Sequence, residues 1–302
     1  FEGRRATGVE YVRGGKVCEA RATREVLLAG GAINSPQLLM LSGVGPAAHL
    51  GELEIPVVAD LPGVGENLQD HLLSILAYEC TSPATLESAE KLSSVARYLV
   101  ARRGPLTSNI GEAGGFARVL EDAGLPDVQL MFGPCFYLQH GFIRRQGHGF
   151  SLGPVLLRPE SRGRVTLRSR DPVDAPSIRA NYLSSERDVL ALVAGVKLSR
   201  RIASAPALAG FRGAEVWPGA DAVDDPGLEA FVRRTSETLY HPVGTCKMGR
   251  GEDAVVDARL RVRGVESLRV VDASVMPTIV GGNTNAPTIM IAERAADLIR
   301  EG

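Results

Sequence analysis

The sequence predicts an α/β (α+β) protein in which a part built from strand, turn and helix units is interleaved with a part built on an antiparallel sheet. Three observations predict it. The run Glu25-Val26-Leu27-Leu28-Ala29 ends in Gly30-Gly31 and passes into a helix-type stretch. Between residues 128 and 182 short strand-type segments recur among turn residues, the texture of an antiparallel sheet. From Ser267 the chain returns to a buried-type strand and a long terminal helix, so the first part resumes after the second. The 302 residues, 44% hydrophobic and 23% charged, suffice for one or two domains with real cores and exclude disorder.

Element by element, Ala6 to Thr23 reads as a hairpin whose arms alternate in polarity around Arg13-Gly14-Gly15. After the strand at 25–29, Asn34-Ser35-Pro36 supplies cap candidates and a proline suited to a first helical turn, ahead of Leu38 to Leu41. Ile55 to Asp60 is a short strand, and Leu61 to Leu68 a loop punctuated by Pro62, Gly63 and Gly65. From Ser88 to Arg103 the spacing of Leu92, Val95, Ala96 and Leu99 predicts a helix, stopped by Gly104-Pro105. Strands are predicted over 128–132, 151–157, 163–167 and 178–182. Helices return at Val189, Leu192, Val193 and Val196, and again over Leu228 to Arg234 behind Asp225-Pro226. Ser267 to Ser274 is a strand ending in Asp272, Gly281 to Asn285 a connection, and Ala286 to Arg300 the last helix. No repeat or low-complexity tract is present.

Charge and cysteine usage narrow the function. Thirty-four Lys and Arg against thirty-five Asp and Glu leave a net charge of -1, with no field to draw in nucleic acid. The apolar runs are far shorter than the ~20 residues of a membrane helix. A small neutral ligand is the default partner. Cys18, Cys80, Cys135 and Cys246 show no CxxC pairing, and the histidines lack ligand spacing around them, so neither a disulfide framework nor a metal site is indicated. The chain begins at Phe1 without a leader pattern and reads as a piece of a longer product.

Gly43-Val44-Gly45-Pro46-Ala47-Ala48 fits G-x-G-x-x-A on paper, but a helix-type stretch precedes it and Pro46 removes a needed donor, so no nucleotide fingerprint is assigned. No G-x-S-x-G elbow occurs. Tyr240-His241-Pro242-Val243-Gly244-Thr245 places an imidazole in a stiff, compact loop that suits a base, or simply a satisfied structural histidine. His49, His71, His140 and His148 have less to recommend them. Asn285 reads as a cap or turn residue, Asp272 as a strand-end cap, and Glu112 as a solvated carboxylate.

Four blocks, taken together in their order, resemble the glucose-methanol-choline (GMC) flavin oxidoreductases, especially the choline dehydrogenase and alcohol dehydrogenase branch. Gly31-Ala32-Ile33-Asn34-Ser35-Pro36-Gln37-Leu38-Leu39-Met40-Leu41-Ser42-Gly43-Val44-Gly45 matches that family's second signature throughout. Leu61 to His71, His241 to Gly249 and Asn283 to Met290 resemble three further blocks. The resemblance implies part of an FAD-binding Rossmann-type domain over 1–71 and 241–302, interleaved with an antiparallel-sheet substrate domain over 72–240. It also implies that the G-x-G-x-x-G segment for the FAD pyrophosphate lies upstream of Phe1, so that the isolated chain would hold FAD poorly and be inactive.

By the same resemblance His241 is the base that takes the hydroxyl proton of an alcohol, and Asn285 hydrogen-bonds the same oxygen. Many relatives carry histidine at the second position, and asparagine is the choline-type variant. The cofactor contacts implied are Ala29 and Gly30, Asp272 and Ala273, and Asn283, Ala286 and Thr288, with Glu112 at the substrate entrance. The function implied is FAD-dependent oxidation of a choline-like or primary alcohol to an aldehyde, with the electron acceptor and oligomeric state unassigned. The location implied is cytoplasmic, any membrane association being peripheral and arising through the acceptor. A hydroxynitrile lyase using the same polar pair, and an inactive partial module, are the alternatives.

Overall fold

The computed structural model describes residues 1–83 and 85–301. Helix and sheet are mixed, and the chain divides into two compact units, each made of separated stretches. The first comprises Phe1–Asp70, Ser161–Ser184 and Tyr240–Gly302, and the second His71–Glu160 and Ser185–Leu239.

The first unit is organised around a parallel pair. Strand Val26–Leu28 lies beside strand Leu268–Val270 in register Val26↔Leu268 and Val270↔Leu28. Both strands are short because their apolar runs end at once in turn-forming residues, Gly30-Gly31 in one and Asp272 in the other. Helix Gly31–Leu41 follows the first strand, with Leu39 and Met40 inside the core. Helix Asn285–Arg300 buries Ile291, Ala295 and Leu298, one stripe at i, i+4 and i+7. Val243, Cys246, Val255, Val256, Val262 and Val275 also lie in this core.

The hairpin read around Gly14-Gly15 is present, Gly8–Arg13 pairing antiparallel with Lys16–Arg21. Of the strand read over 55–60 only Ala59–Asp60 is formed, parallel to Val44–Gly45.

The second unit is a seven-stranded antiparallel sheet. Its central strand Gly149–Leu156 is buried along its whole length. Leu76–Cys80 and Leu72–Leu73 pair along one edge of it and Val128–Gly133 along the other. Ala113–Ala117, Arg212–Trp217 and Glu237–Thr238 complete the sheet. Helix Glu186–Ala203 buries Val189, Leu192, Val193 and Val196 as its spacing requires. Helix Asp225–Thr235 is capped by Asp224, whose carboxylate accepts the Gly227 N–H at 2.9 Å, with Pro226 in its first turn.

Further readings change. Helix Gly31–Leu41 starts behind Gly30, so Asn34, Ser35 and Pro36 lie inside it rather than at its cap and first turn. The segments 163–167 and 178–182 do not join the large sheet. Arg164–Thr166 and Ser177–Arg179 pair with each other, and residues 161–184 group with the first unit rather than within 72–240. The cause is main-chain pairing that composition does not reveal: Leu68 and Gly163 exchange hydrogen bonds at 2.9 Å, and Val165 N–H donates to Gly65 O at 2.7 Å. The helix at Leu92–Ala101 forms, but Leu92 and Leu99 are 84% and 64% exposed while Ser94 is buried, so its apolar stripe is not its packed face. No helix is long and apolar enough to cross a membrane among the described residues.

Candidate active site

The first unit gathers most of the site residues read from the sequence. Ala29-Gly30 and Asp272-Ala273 follow the carboxyl ends of the two paired parallel strands, the place where open α/β sheets hold ligands. The turn is built by the acid. Asp272 is 6% exposed, its Oδ2 accepting the Gly31 N–H at 3.0 Å and the Ser35 hydroxyl at 2.6 Å, its Oδ1 accepting the Ser274 N–H at 2.8 Å. Ser35 Oγ in turn accepts the Gly30 N–H at 3.0 Å. Gly31 sits at φ +77°, a conformation glycine adopts without cost. Asp272 thus ties the two strand ends together, and three donors already occupy its carboxylate.

His241 lies on a loop held from both sides. Its own N–H donates to Asp70 Oδ1 at 2.9 Å, and Asp70 Oδ2 accepts the Tyr182 hydroxyl at 2.6 Å. Two residues on, Val243 and Gln69 exchange main-chain hydrogen bonds at 2.9 and 3.1 Å. Further along, Gly244, Cys246 and Met248 donate to the carbonyls of Ala273, Ser274 and Val275, while Thr245 Oγ1 donates to Ala32 O at 2.6 Å. The base loop is therefore laced to both strand ends. Burial pushes the half-buried His241 imidazole below the usual histidine range, and the Asp70 carboxylate opposes that shift. Burial likewise pushes the Cys246 thiol up, which leaves it inert.

Asn285 is the first residue of the last helix, whose N-terminus has no side-chain cap. Asn285 and Ala286 are exposed, and no hydrogen bond among the described residues holds the Asn285 carboxamide. Thr288 is half-buried, its hydroxyl donating to Thr284 O at 2.7 Å. Asn283 is exposed beside this helix mouth. Upstream, Ile279 N–H donates to Gln69 Oε1 at 3.2 Å, so the segment leading to Asn285 and the His241 loop share one anchor. Glu112 belongs to the second unit. No cluster of metal-ligating side chains exists among the described residues.

Asn67, Gln69, Asp70 and Tyr182 carry no role in the sequence reading, although three of them lie within a quoted block. Ser35, read as a cap candidate, instead accepts the Gly30 N–H and donates to Asp272. Nothing local in the sequence marks Asn67, Gln69 or Asp70; the structure buries Gln69 and Asp70, polar groups that need specific partners there.

GMC oxidoreductase family models match residues 1–73, with the N-terminal model, and 159–292, with the C-terminal model. The oxygen-dependent choline dehydrogenase of Pseudomonas savastanoi pv. phaseolicola is 50% identical over 99% of this chain and 54% of its own length. The mitochondrial choline dehydrogenase of Mus musculus is also 50% identical, over 99% of this chain and 51% of its own. Among solved structures, a formate oxidase superposes with TM-score 0.92 at 28% identity, over 99% of this chain and 58% of that one. Pyridoxine 4-oxidase from Mesorbium loti gives TM-score 0.87 at 31% identity, over 100% and 56%. The chain spans about half the length of the curated relatives it matches. Two ordered family models and whole-chain similarity to choline dehydrogenases lead to one assignment: the chain belongs to the GMC oxidoreductase family.

Proposed function

We propose that this chain carries the proton-handling residues of an FAD-dependent oxidoreductase that oxidises a choline-like or other primary alcohol to its aldehyde. The observation that carries the reading is the placement of His241: a half-buried imidazole whose pKa burial pushes down, beside a buried carboxylate, on a loop hydrogen-bonded to the segments that follow two parallel strands. Identity of 50% to choline dehydrogenases supports the alcohol class. Two features support FAD as the group held: the carboxyl ends of two adjacent parallel strands, and an uncapped helix N-terminus whose dipole favours negative charge.

The chemistry follows from these side chains. A neutral His241 nitrogen accepts the proton of the substrate hydroxyl as the oxygen turns alkoxide-like. Asp70, whose charge raises the imidazole's proton affinity, stabilises the imidazolium so formed. The Asn285 amide donates to the same oxygen without bringing a charge that would hold it in the alkoxide state. Bound FAD supplies the acceptor for the two electrons and the hydrogen leaving the carbinol carbon.

The test is anaerobic mixing of the flavin-loaded protein with choline and with simple primary alcohols. Bleaching of the oxidised flavin, with one aldehyde formed per flavin, is expected. Cyanide release from a cyanohydrin with the flavin still oxidised, and no bleaching by any alcohol, would overturn the proposal in favour of a lyase.

A further inference from the structure

Two buried or half-buried carboxamides near the base loop do no chemistry in the proposed reaction, yet their partners are far from local. Asn67 Nδ2 donates to Gly244 O at 3.1 Å and to Pro277 O at 3.2 Å, residues 177 and 210 positions away. Gln69 is 2% exposed; its Nε2 donates to Pro277 O and to Asn67 Oδ1, each at 3.2 Å, and its Oε1 accepts the Ile279 N–H at 3.2 Å. The Gln69 main chain pairs meanwhile with Val243. Each residue therefore grips both the segment that carries His241 and the segment that runs on to Asn285.

The chemistry of this grip is specific. Position 69 must donate to the Pro277 carbonyl and accept from the Ile279 amide at once, which a carboxamide does and a carboxylate or hydrocarbon of similar shape does not. Asn67 sits at φ +64°, in the left-handed region that asparagine tolerates better than most residues. Gly244, at φ +95°, leaves room for the pair: a Cβ there would lie 2.5 Å from Asn67 O and 2.9 Å from its Nδ2. The Asn67 carboxamide divides its donors between the two segments, and Gln69 holds the His241 segment with its main chain and the 277–279 segment with its side chain, itself bonded to Asn67.

We infer that Asn67 and Gln69 are positioning residues whose side chains set the separation between the His241 loop and the segment leading to Asn285, and so the geometry of the two groups on one substrate oxygen. The inference rests on the roles proposed above for His241 and Asn285. Because a misplacement of about 1 Å at a reacting centre costs roughly a hundredfold in rate, a hydrogen-bonded brace is what such a pair requires.

The experiment uses the flavin-loaded protein with Gln69→Met and Gln69→Glu, alone and combined with Asn285→Ala, and choline as the probe. Flavin content, alcohol Kd, the limiting rate of flavin reduction, and peptide-resolved amide exchange over residues 241–244 and 277–285 are read together. Expected are a fall of about tenfold to a hundredfold in the limiting reduction rate with Kd nearly unchanged, and faster exchange in both segments. In the Asn285→Ala background the loss should largely disappear, since there is no second group left to misalign. Equal losses in both backgrounds, or unchanged exchange in either segment, would overturn the inference. If Gln69→Met does not fold, Gln69→Glu, which keeps the acceptor for Ile279, decides by the same readouts. A normal reduction rate in Asn285→Ala by itself would instead refute the role given to Asn285, and the exchange data would still decide the brace.

Discussion

Replacing Asp70 by asparagine tests how the fold governs the base. The carboxylate accepts the His241 N–H at 2.9 Å and the Tyr182 O–H at 2.6 Å, and is only 6% exposed. Asparagine offers one oxygen and one NH2 in the same space, so opposite Tyr182 the NH2 must donate to the hydroxyl oxygen and both charge-assisted bonds are lost. Hydrogen bonds to a charged group are worth about 1.5–3 kcal/mol. Tyr182 is 42% exposed and can turn its hydroxyl to water, which puts the cost near the lower end, about 2 kcal/mol. The melting midpoint should fall by roughly 3 °C. The kinetic effect has a definite sign. The Asp70 charge raises the His241 pKa against the lowering by burial, so its removal lets the pKa fall further. A base acts when unprotonated, so the acid limb of flavin reduction should move to lower pH while the plateau rate drops, the imidazolium having lost its counter-charge. The assay is stopped-flow reduction by choline between about pH 5 and 9 on wild type and variant. An acid limb that stays in place or moves to higher pH would refute the electrostatic reasoning.

His241→Ala should lower the reduction rate by about a hundredfold to ten-thousandfold with FAD still bound, read by the same stopped-flow assay and by flavin absorbance after gel filtration. The folded-state pKa of His241 lies below its unfolded value of about 6.5, so the unfolded chain binds the extra proton and stability declines as pH falls below about 6.5. That component should be missing from the pH dependence of the urea midpoint in His241→Ala. Asn285→Ala should slow reduction by about a hundredfold while the acid limb keeps its position, since the donor is lost and the base remains. Gly244→Ala combines a positive φ with contact against Asn67 and should cost at least about 1 kcal/mol, seen as a lower thermal midpoint and a slower reduction together.

Local punctuation and periodicity made much of the fold legible. Gly14-Gly15 marks the first hairpin, Gly30-Gly31 the passage from strand into helix, and the spacing of Val189 to Val196 a helix with its buried face. Partnership across the chain was not legible. Val165 and Ile178 have strand-type surroundings, but nothing local shows that Gly65 and Leu68 recruit their hairpin to the first unit. Leu92 and Leu99 hold helical spacing without being the buried face, because periodicity reports amphipathicity and not what lies opposite. At the site, His241 and Asn285 stood out through motif blocks rather than through any property of a lone histidine or a cap asparagine. Asp70, Asn67 and Gln69 stayed silent because their partners lie far away in sequence, and a hydrogen bond over that separation leaves no periodic trace. Asp272 was read as a cofactor contact, and its carboxylate accepts from Gly31, Ser35 and Ser274.

The central claim is that the His241 imidazole and the Asn285 carboxamide meet on one substrate oxygen. It is tested most directly by a crystal structure of the flavin-loaded protein with an alcohol analogue that cannot be oxidised. The analogue's hydroxyl oxygen should lie about 2.6–3.2 Å from both a His241 ring nitrogen and the Asn285 amide nitrogen. An oxygen within reach of only one of them, or of neither, would contradict the claim.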